Sequence, residues 1–451
     1  MKNSDCSLLA IRTLFCLAIF GAMAWRSGTA TAAPPNVVII LSDDQGWNDY
    51  SFMGHPHIKT PRIDRLAAES TVFTRGYVPT SLCRPSIACL ITGLYPQQHK
   101  IIGNDPRPSS NQSTIPKAQL RTSPEYQQLR QKFGDNLKGI PTLPKLFTSN
   151  GYLAHQSGKW WEGDALTAGF TAGMTLGEKS ATGRHGDEGL VIGRQTMKPV
   201  FDFMDDAKKA SKPFLVWYAP MMPHLPHNPP DRLLDKYKGV AGDLKQAKYW
   251  AMCEWFDETV GQLLDAIDER GLRKNTLVVY MVDNGWTNPV GTPNGPFGGA
   301  RGKTSPYDGG LRTPIMVRWP GHTQARRDDT HVVTSLDVLP TVLAAAGIQA
   351  PAGLPGVNLL DDAAVTKRKA VFGATFTHDA SMPTVPSETL EYRWVVSGEW
   401  KLIVPTGNVA DRGRTELFHI TADPNEEKDL AKDEPQRVAE LRKQLNAWWN
   451  P

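Results

Sequence analysis

Residues 36–46 read "NVVIILSDDQG". Val37 to Leu41 is an unbroken β-branched and aliphatic run, ended abruptly by two aspartates, Asp43 and Asp44. A strand with one wet face alternates polar and apolar residues, whereas a strand covered on both faces reads as a continuous apolar run. Two further stretches share the form. "PFLVWYAPMMPHLPH" (213–227) places His224 and His227 beyond its run, and "NTLVVYMVDNG" (275–285) ends in Asp283 and Asn284. Between them, "KYWAMCEWFDETVGQLLDAIDERG" (248–271) repeats its apolar positions at three and four, a helical period. Strand, helix and strand in alternation predict an α/β fold with a mainly parallel sheet sandwiched by helices. In such sheets, side chains just past the strand ends converge on one crevice where ligands bind.

Composition sets the outer bounds. The chain has 451 residues, enough for a large core, and 35 prolines with 39 glycines imply many loops. A net charge of +4 over that length points to neither nucleic acid nor a membrane surface as partner. The N-terminus carries Lys2 and Arg12, an apolar stretch from Leu14 to Trp25, and "SGTATAAPP" with Ala30 and Ala32 in a small-residue cleavage pattern. That is the layout of an export signal spanning 1–33, so a secreted or periplasmic protein is expected, with no membrane association after cleavage. Cys6 and Cys16 leave with the signal, so Cys83, Cys89 and Cys253 remain, an odd number with at least one unpaired thiol. Cys89 and Cys253 sit among apolar residues and read as buried thiols. Cys83 opens "CRPSIACLITGLYP" (83–96), where Pro85 favours a helix start, so Cys83 belongs at a helix N-terminal edge.

Asp43, Asp44, Asp283 and Asn284 bring four oxygen-bearing side chains from two strand ends. Singly, each suits a turn or a helix cap. Together they suit a hard divalent cation, calcium ahead of magnesium and well ahead of zinc.

In chain order, "NVVIILSDDQG", "CRPSIACLITGLYP", "SGKWWEG" (157–163), "MMPHLPH", "VDNG" and "GKTSPYDGGLRTPIMVRWPG" (302–321) resemble the motifs of type I sulfatases, of the alkaline phosphatase superfamily. The tail, "WKLIVPTG" (400–407) followed by "ELFHITADPNEEKDLA" (416–431), is similar to the small C-terminal sheet domain of that family. The resemblance implies a catalytic domain over 34–355 and a small sheet-plus-helix subdomain over 356–451. It implies that Cys83 is converted by a formylglycine-generating enzyme to formylglycine, whose hydrate carries two hydroxyls on one carbon. One attacks sulfur and the other provides the route by which sulfate is expelled, a route a plain serine lacks. It further implies that Asp43, Asp44, Asp283 and Asn284 hold a calcium ion together with the modified Cys83. Lys159 and Lys303 would bind sulfate oxygens and steady the leaving oxygen, and His224 would contact the sulfate or protonate the leaving group. The expected activity is hydrolysis of a sulfate monoester, of a saccharide first and an aryl alcohol second. A phosphodiesterase or phosphonate hydrolase on the same fold, or a carbohydrate-binding protein on a sulfatase scaffold, are the alternatives.

Two positions depart from the family pattern. Ile87 stands where C-x-P-S-R has its arginine, and Trp161 stands where G-K-W-H has its histidine. Isoleucine donates no hydrogen bond and tryptophan takes up no proton. A cation and a base must then enter from elsewhere, and "ATGRHGDEG" (181–189) offers Arg184 and His185 beside Asp187 and Glu188. Trp47, Trp160, Trp161 and Trp286 lie in or beside the motifs, as core residues or as platforms for a sugar ring.

Overall fold

The three apolar runs are central strands, and their register brings their ends level. The computed structural model describes residues 33–107, 117–177, 187–286, 301–381, 384–411 and 413–451, and Pro34–Pro451 forms one compact unit. The expected signal, 1–33, lies outside the described residues apart from its last position, as do Arg184 and His185. The principal strands of the large sheet are β1 (Asn36–Ser42), β2 (Thr71–Tyr77), β3 (Leu153–Gly158), β4 (Phe214–Ala219), β5 (Thr276–Val282) and β6 (Arg312–Arg318). They lie in the order β2-β6-β5-β1-β4-β3, with short strands at the edges completing nine. Pairings β3–β4, β4–β1 and β1–β5 are parallel, and β6 runs antiparallel to β5 and to β2.

Every residue of β1, β4 and β5 is buried, as their unbroken apolar character requires. Alternate residues serve opposite faces. Val37, Ile39 and Leu41 pack in one core with Ile87, Ala88 and Ile91 of helix α1 (Cys83–Thr92). Val38 and Ile40 pack in a second core with Phe256, Val260 and Leu264 of helix α2 (Leu244–Glu269). The helix α1 begins at Cys83 itself, so Pro85 is its third residue rather than its first. Proline is tolerated there because first-turn N–H groups have no partner within the helix.

The C-terminal part is a four-stranded antiparallel sheet of β7 (Ala370–Phe376), β8 (Leu390–Ser397), β9 (Trp400–Pro405) and β10 (Glu416–His419), in that order. Helix α3 (Pro435–Trp448) covers it through Leu441 and Leu445. One fully buried ionic cluster ties this sheet to the segment carrying Lys303. Lys401 Nζ lies 2.8 Å from Asp308 Oδ1 and 2.9 Å from Glu426 Oε1, and Asp308 N–H donates to Glu426 Oε2 at 2.6 Å. No helix among the described residues is long and apolar enough to cross a membrane.

Candidate active site

Ser42 pairs with Val282 across the parallel β1–β5 ladder, which sets Asp43 and Asp44 beside Asp283 and Asn284. The ladder continues one step past the strands, with Asp283 N–H donating to Ser42 O and Asp43 N–H to Met222 O, both at 3.0 Å. Asp44 has φ +60, the left-handed region where non-glycine residues are uncommon, and its N–H donates to Asp283 Oδ1 at 3.2 Å. Single ligand atoms of Asp43, Cys83 and Asp283 lie within 4.8 Å of one another, and so do those of Asp43, Asp44 and His224. Thus two strand ends, the first turn of α1 and the loop after β4 meet at one point.

Two lysines, Lys159 buried and Lys303 partly buried, complete the cluster. Lys159 Nζ lies 2.5 Å from Asp43 Oδ1 and 2.9 Å from Asp283 Oδ2, and Lys303 Nζ lies 2.5 Å from Asp44 Oδ1 and 2.9 Å from Cys83 Sγ. Burial works against the charged form of every group here, and the opposite charges counter it. Burial pushes Asp283 up to about 6 despite Lys159, and Asp43 also stands above the usual range. Burial acts on Asp44 too, yet Lys303, His224 and Lys159 together hold it well below that range. Burial pushes the Cys83 thiol up to about 11 against the pull of Lys159 and Lys303. Two oxygens, Asp43 Oδ2 and Asn284 Oδ1, are buried with no hydrogen-bond partner among the described residues. Buried orphan acceptors are costly. A donor set of carboxylate and amide oxygens with such orphans fits a hard divalent cation.

Lys159 reaches the cluster because β3 ends in a glycine. Gly158 has φ +85, and a Cβ there would stand 2.0 Å from Ala219 O. Lys159 N–H donates to that same oxygen at 2.7 Å, and Trp217 Nε1–H donates to Lys159 O at 3.0 Å. Gly158→Ala therefore forces the β3–β4 ends apart and displaces Lys159. A displacement of this kind costs about 10²-fold in kcat, measured beside a thermal melt that should fall by far less than unfolding.

His224 stands at the rim, its side chain 24% exposed, with Nε2 facing Asp44 Oδ2 at 3.6 Å. Its Nδ1 is 2.6 Å from Leu225 O, so in the neutral ring Nδ1 carries the proton and Nε2 is an acceptor. Burial lowers the ring to about 4, with Asp44 opposing the shift. The loop carrying it is held by a residue that sequence reasoning missed. Arg194 donates from Nη1 to Pro226 O at 2.9 Å and to Asn228 Oδ1, and from Nη2 to His224 O at 3.1 Å and to Met221 O. A planar guanidinium can serve four acceptors at once and an ammonium cannot. Arg194→Lys is accordingly expected to lower kcat by about 10²-fold with the charge kept, and steady-state kinetics check it.

The two departures from the family pattern both lie in the core on the α1 side of the large sheet. Ile87 and Trp161 are both buried in the core, 1% and 3% exposed. Arg84, one helical turn before Ile87, donates from Nε and Nη2 to Glu162 at 2.6 and 2.8 Å, and its guanidinium lies over Phe133 at 4.9 Å. Of the tryptophans, Trp160 is also core, and Trp47 stacks on Arg312 at 3.9 Å. Trp286 is half-buried beside Tyr249, ring centroids 5.9 Å apart. Cys83, Cys89 and Cys253 are all free and buried.

Comparison with known proteins identifies the family. The Sulfatase family model matches residues 35–348, and that of "N-sulphoglucosamine sulphohydrolase, C-terminal" matches residues 300–449. Human arylsulfatase A is 31% identical over 381 residues, covering 75% of this chain and 68% of that protein. Human N-acetylgalactosamine-6-sulfatase is 25% identical over 447 residues, covering 87% and 81%. The crystal structure of Ps i-CgsB, 26% identical, superposes with a TM-score of 0.70 over 92% of this chain and 93% of that one. The phosphonate monoester hydrolase of Agrobacterium radiobacter, 16% identical with a TM-score of 0.67 over 92% and 95%, shares the fold. A carboxylate cluster at parallel strand ends, a cysteine opening a helix above it and two lysines paired with the carboxylates thus sit in a chain matched along most of its length, which makes it a member of the sulfatase family and a sulfuric ester hydrolase.

Proposed function

We propose that the chain hydrolyses a sulfate monoester of a saccharide, with Cys83 matured to formylglycine by a formylglycine-generating enzyme and a calcium ion in the acidic cluster. The observation that carries this reading is the meeting of Cys83 with Asp43, Asp44, Asp283, Asn284, Lys159 and Lys303 at one point. Asp43, Asp44, Asp283 and Asn284 would hold the ion, beside the modified side chain. The ion would supply Lewis acidity toward a sulfate oxygen, and the aldehyde hydrate would supply the nucleophilic oxygen.

The chain's own residues perform the remaining work. Lys303 Nζ, in contact with Cys83 Sγ, marks where positive charge meets the reacting atom, and Lys159 supplies a second cation beneath it. Lys159 is buried and Lys303 partly so, and there a fixed charge stabilises a developing negative charge better than it does in water. The first turn of α1 turns its N–H end to the same place, which favours an anion. His224 Nε2 faces the cluster from the rim, on a loop held by Arg194, and would have to take up a proton there, opposite Asp44, before it could pass one to the leaving oxygen. Saccharide esters are favoured over simple aryl esters because several relatives carry saccharide names. N-acetylgalactosamine-6-sulfatase is one, and Ps i-CgsB has been crystallised in complex with k-i-k-neocarrahexaose. The N-terminal signal pattern supports export to the periplasm or the outside of the cell, and the antiparallel C-terminal sheet supports a subdomain over 356–451.

Turnover of para-nitrophenyl sulfate against bis(para-nitrophenyl) phosphate, with a panel of sulfated mono- and oligosaccharides, tests this reading. Sulfate release with no diester cleavage is expected. Preference for the diester would refute it in favour of a phosphodiesterase, and binding of saccharides without turnover in favour of a lectin-like role.

A further inference from the structure

Lys303 belongs to no strand or helix, so its four-carbon stem is only as fixed as the loop that bears it. On one side that loop is tied to the site. Lys303 N–H donates to Trp286 O at 2.7 Å, Thr304 N–H to Ser81 O at 3.1 Å, and Gly285 N–H to Gly310 O at 2.9 Å. Gly285 and Trp286 directly follow Asn284, and Ser81 lies two positions before Cys83. The loop has a second set of anchors in the C-terminal part. Arg301 Nη1 donates to Asn425 O at 2.8 Å, the Tyr307 hydroxyl to Glu416 Oε2 at 2.5 Å, and Asp308 N–H to Glu426 Oε2 at 2.6 Å. Lys401 Nζ, from β9, holds the Asp308 carboxylate at 2.8 Å.

Between the two sets of anchors the chain coils tightly. Ser305 donates to Gly302 O from its N–H at 3.1 Å and from its hydroxyl at 2.5 Å. Gly310 comes back onto the same oxygen, since a Cβ there would stand 2.5 Å from it. A coil closed in this way moves as one piece, so a shift of Asp308 is passed on to Lys303.

The anchor at Glu426 is built at a cost. Its φ is +57, a left-handed conformation uncommon outside glycine, and its side chain is buried with Lys401 and Asp308. Strain of this kind persists only where the surroundings over-determine it, and it gathers at places with a function. A buried ionic cluster is also a poor source of stability, because desolvation offsets much of its attraction; what its directed contacts supply is one fixed arrangement. We propose that Glu426, together with Lys401 and Tyr307, is a positioning residue for Lys303. By anchoring Asp308 and its coil from the C-terminal part, these residues hold the ammonium at 2.9 Å from Cys83 Sγ. The C-terminal part thereby belongs to the catalytic apparatus without touching the reacting atoms. The inference rests on the role given to Lys303 in the reading above.

The test is a double-mutant cycle on the full chain, run with para-nitrophenyl sulfate and with the saccharide sulfate of the panel above that is cleaved fastest. Glutamine at 426 has one oxygen to offer where the carboxylate meets both the Asp308 N–H and Lys401, so one contact must go. Glu426→Gln is expected to lower kcat about tenfold with KM within about twofold, in a protein that melts well above the assay temperature. In a Lys303→Ala background the same change should alter kcat by less than about twofold, because the group it positions is gone. Tyr307→Phe keeps the ring and loses only the bond to Glu416. It should show a smaller loss with the same dependence on Lys303, and it decides the matter if Glu426→Gln does not fold. Parental kcat in both variants would overturn the proposal, and so would a rise in KM at parental kcat. Equal losses with and without Lys303 would overturn it too, by marking the cluster as general support for the fold. Each of those results, in an active parent, leaves the sulfatase reading in place. Inactivity of the parent on every sulfate ester would defeat that reading and this inference with it.

Discussion

Replacing Cys83 by alanine is expected to abolish turnover, by at least ~10⁴-fold, while the fold survives. The magnitude follows from removing the nucleophile itself, the group whose loss dominates in enzymes that work by covalent catalysis. Survival of the fold follows from size and place, since the side chain is small and Ile87, Ala88 and Ile91 carry the packing of α1. Cys83→Ser is the more telling variant. A hydroxyl placed beside Lys303 and Lys159 can still be sulfated, but its ester has no second hydroxyl through which sulfate can leave. A burst of no more than about one para-nitrophenol per chain, followed by arrest, is the expected trace. Mass spectrometry of the peptide spanning Cys83 should find aldehyde in the active parent protein. A fully unmodified thiol in an active preparation would overturn this chemistry. The buried thiol, held up at about 11, is largely protonated at neutral pH and is a poor nucleophile as it stands.

The parts of this site that the sequence displays are those that parallel-sheet geometry forces together. Ser42 and Val282 end their strands in register, so whatever follows each must meet, and the carboxylates that follow are plain in the string of letters. Lys159 and His224 follow β3 and β4, which end on the same edge with Gly158 paired to Ala219, but in the sequence only the resemblance to sulfatase motifs singles them out. What the sequence hides are contacts that depend on loops crossing the edge. Arg194 reaches its carbonyls across irregular chain that has no period to betray it. Lys401 and Asp308 are 93 positions apart, so no local pattern couples them. The tryptophans show the opposite limit. Trp160 and Trp161 occupy motif positions that suggest a sugar platform, and only the packing against Phe170 and Trp217 reveals that Trp160 is core. The pair Ile87 and Trp161 reads as two separate losses in the sequence. In space both are core residues, and Arg84, one helical turn before Ile87, is paired with Glu162, the neighbour of Trp161.

Asp283→Asn is expected to cost the protein its metal and at least ~10³-fold in activity, with little loss of stability in the absence of added ion. Asp283 is buried, and its Oδ1 accepts the N–H groups of Asp44 at 3.2 Å and Asn284 at 2.7 Å while its Oδ2 meets Lys159. An asparagine of the same shape can keep one carbonyl oxygen for those N–H groups, so the loop geometry has a route to survive. What it removes is one of the three carboxylates, Asp43, Asp44 and Asp283, gathered beside the orphan oxygens, and with it much of the charge that would draw a divalent cation. Two measurements separate this from simple misfolding. Elemental analysis of protein purified without added metal should find about one calcium per parent chain and far less in the variant. Calcium at about a hundred times its dissociation constant should stabilise the parent by ~2.7 kcal/mol, and chelation should reverse the effect. The variant's melting temperature should answer to neither treatment. Stoichiometric zinc in the parent, or undiminished calcium in the variant, would overturn the assignment of calcium to a site that depends on Asp283. The orphaned Asp43 Oδ2 and Asn284 Oδ1 argue the other way, because Lys159 and Lys303 already have acidic partners and neither lysine satisfies these two atoms.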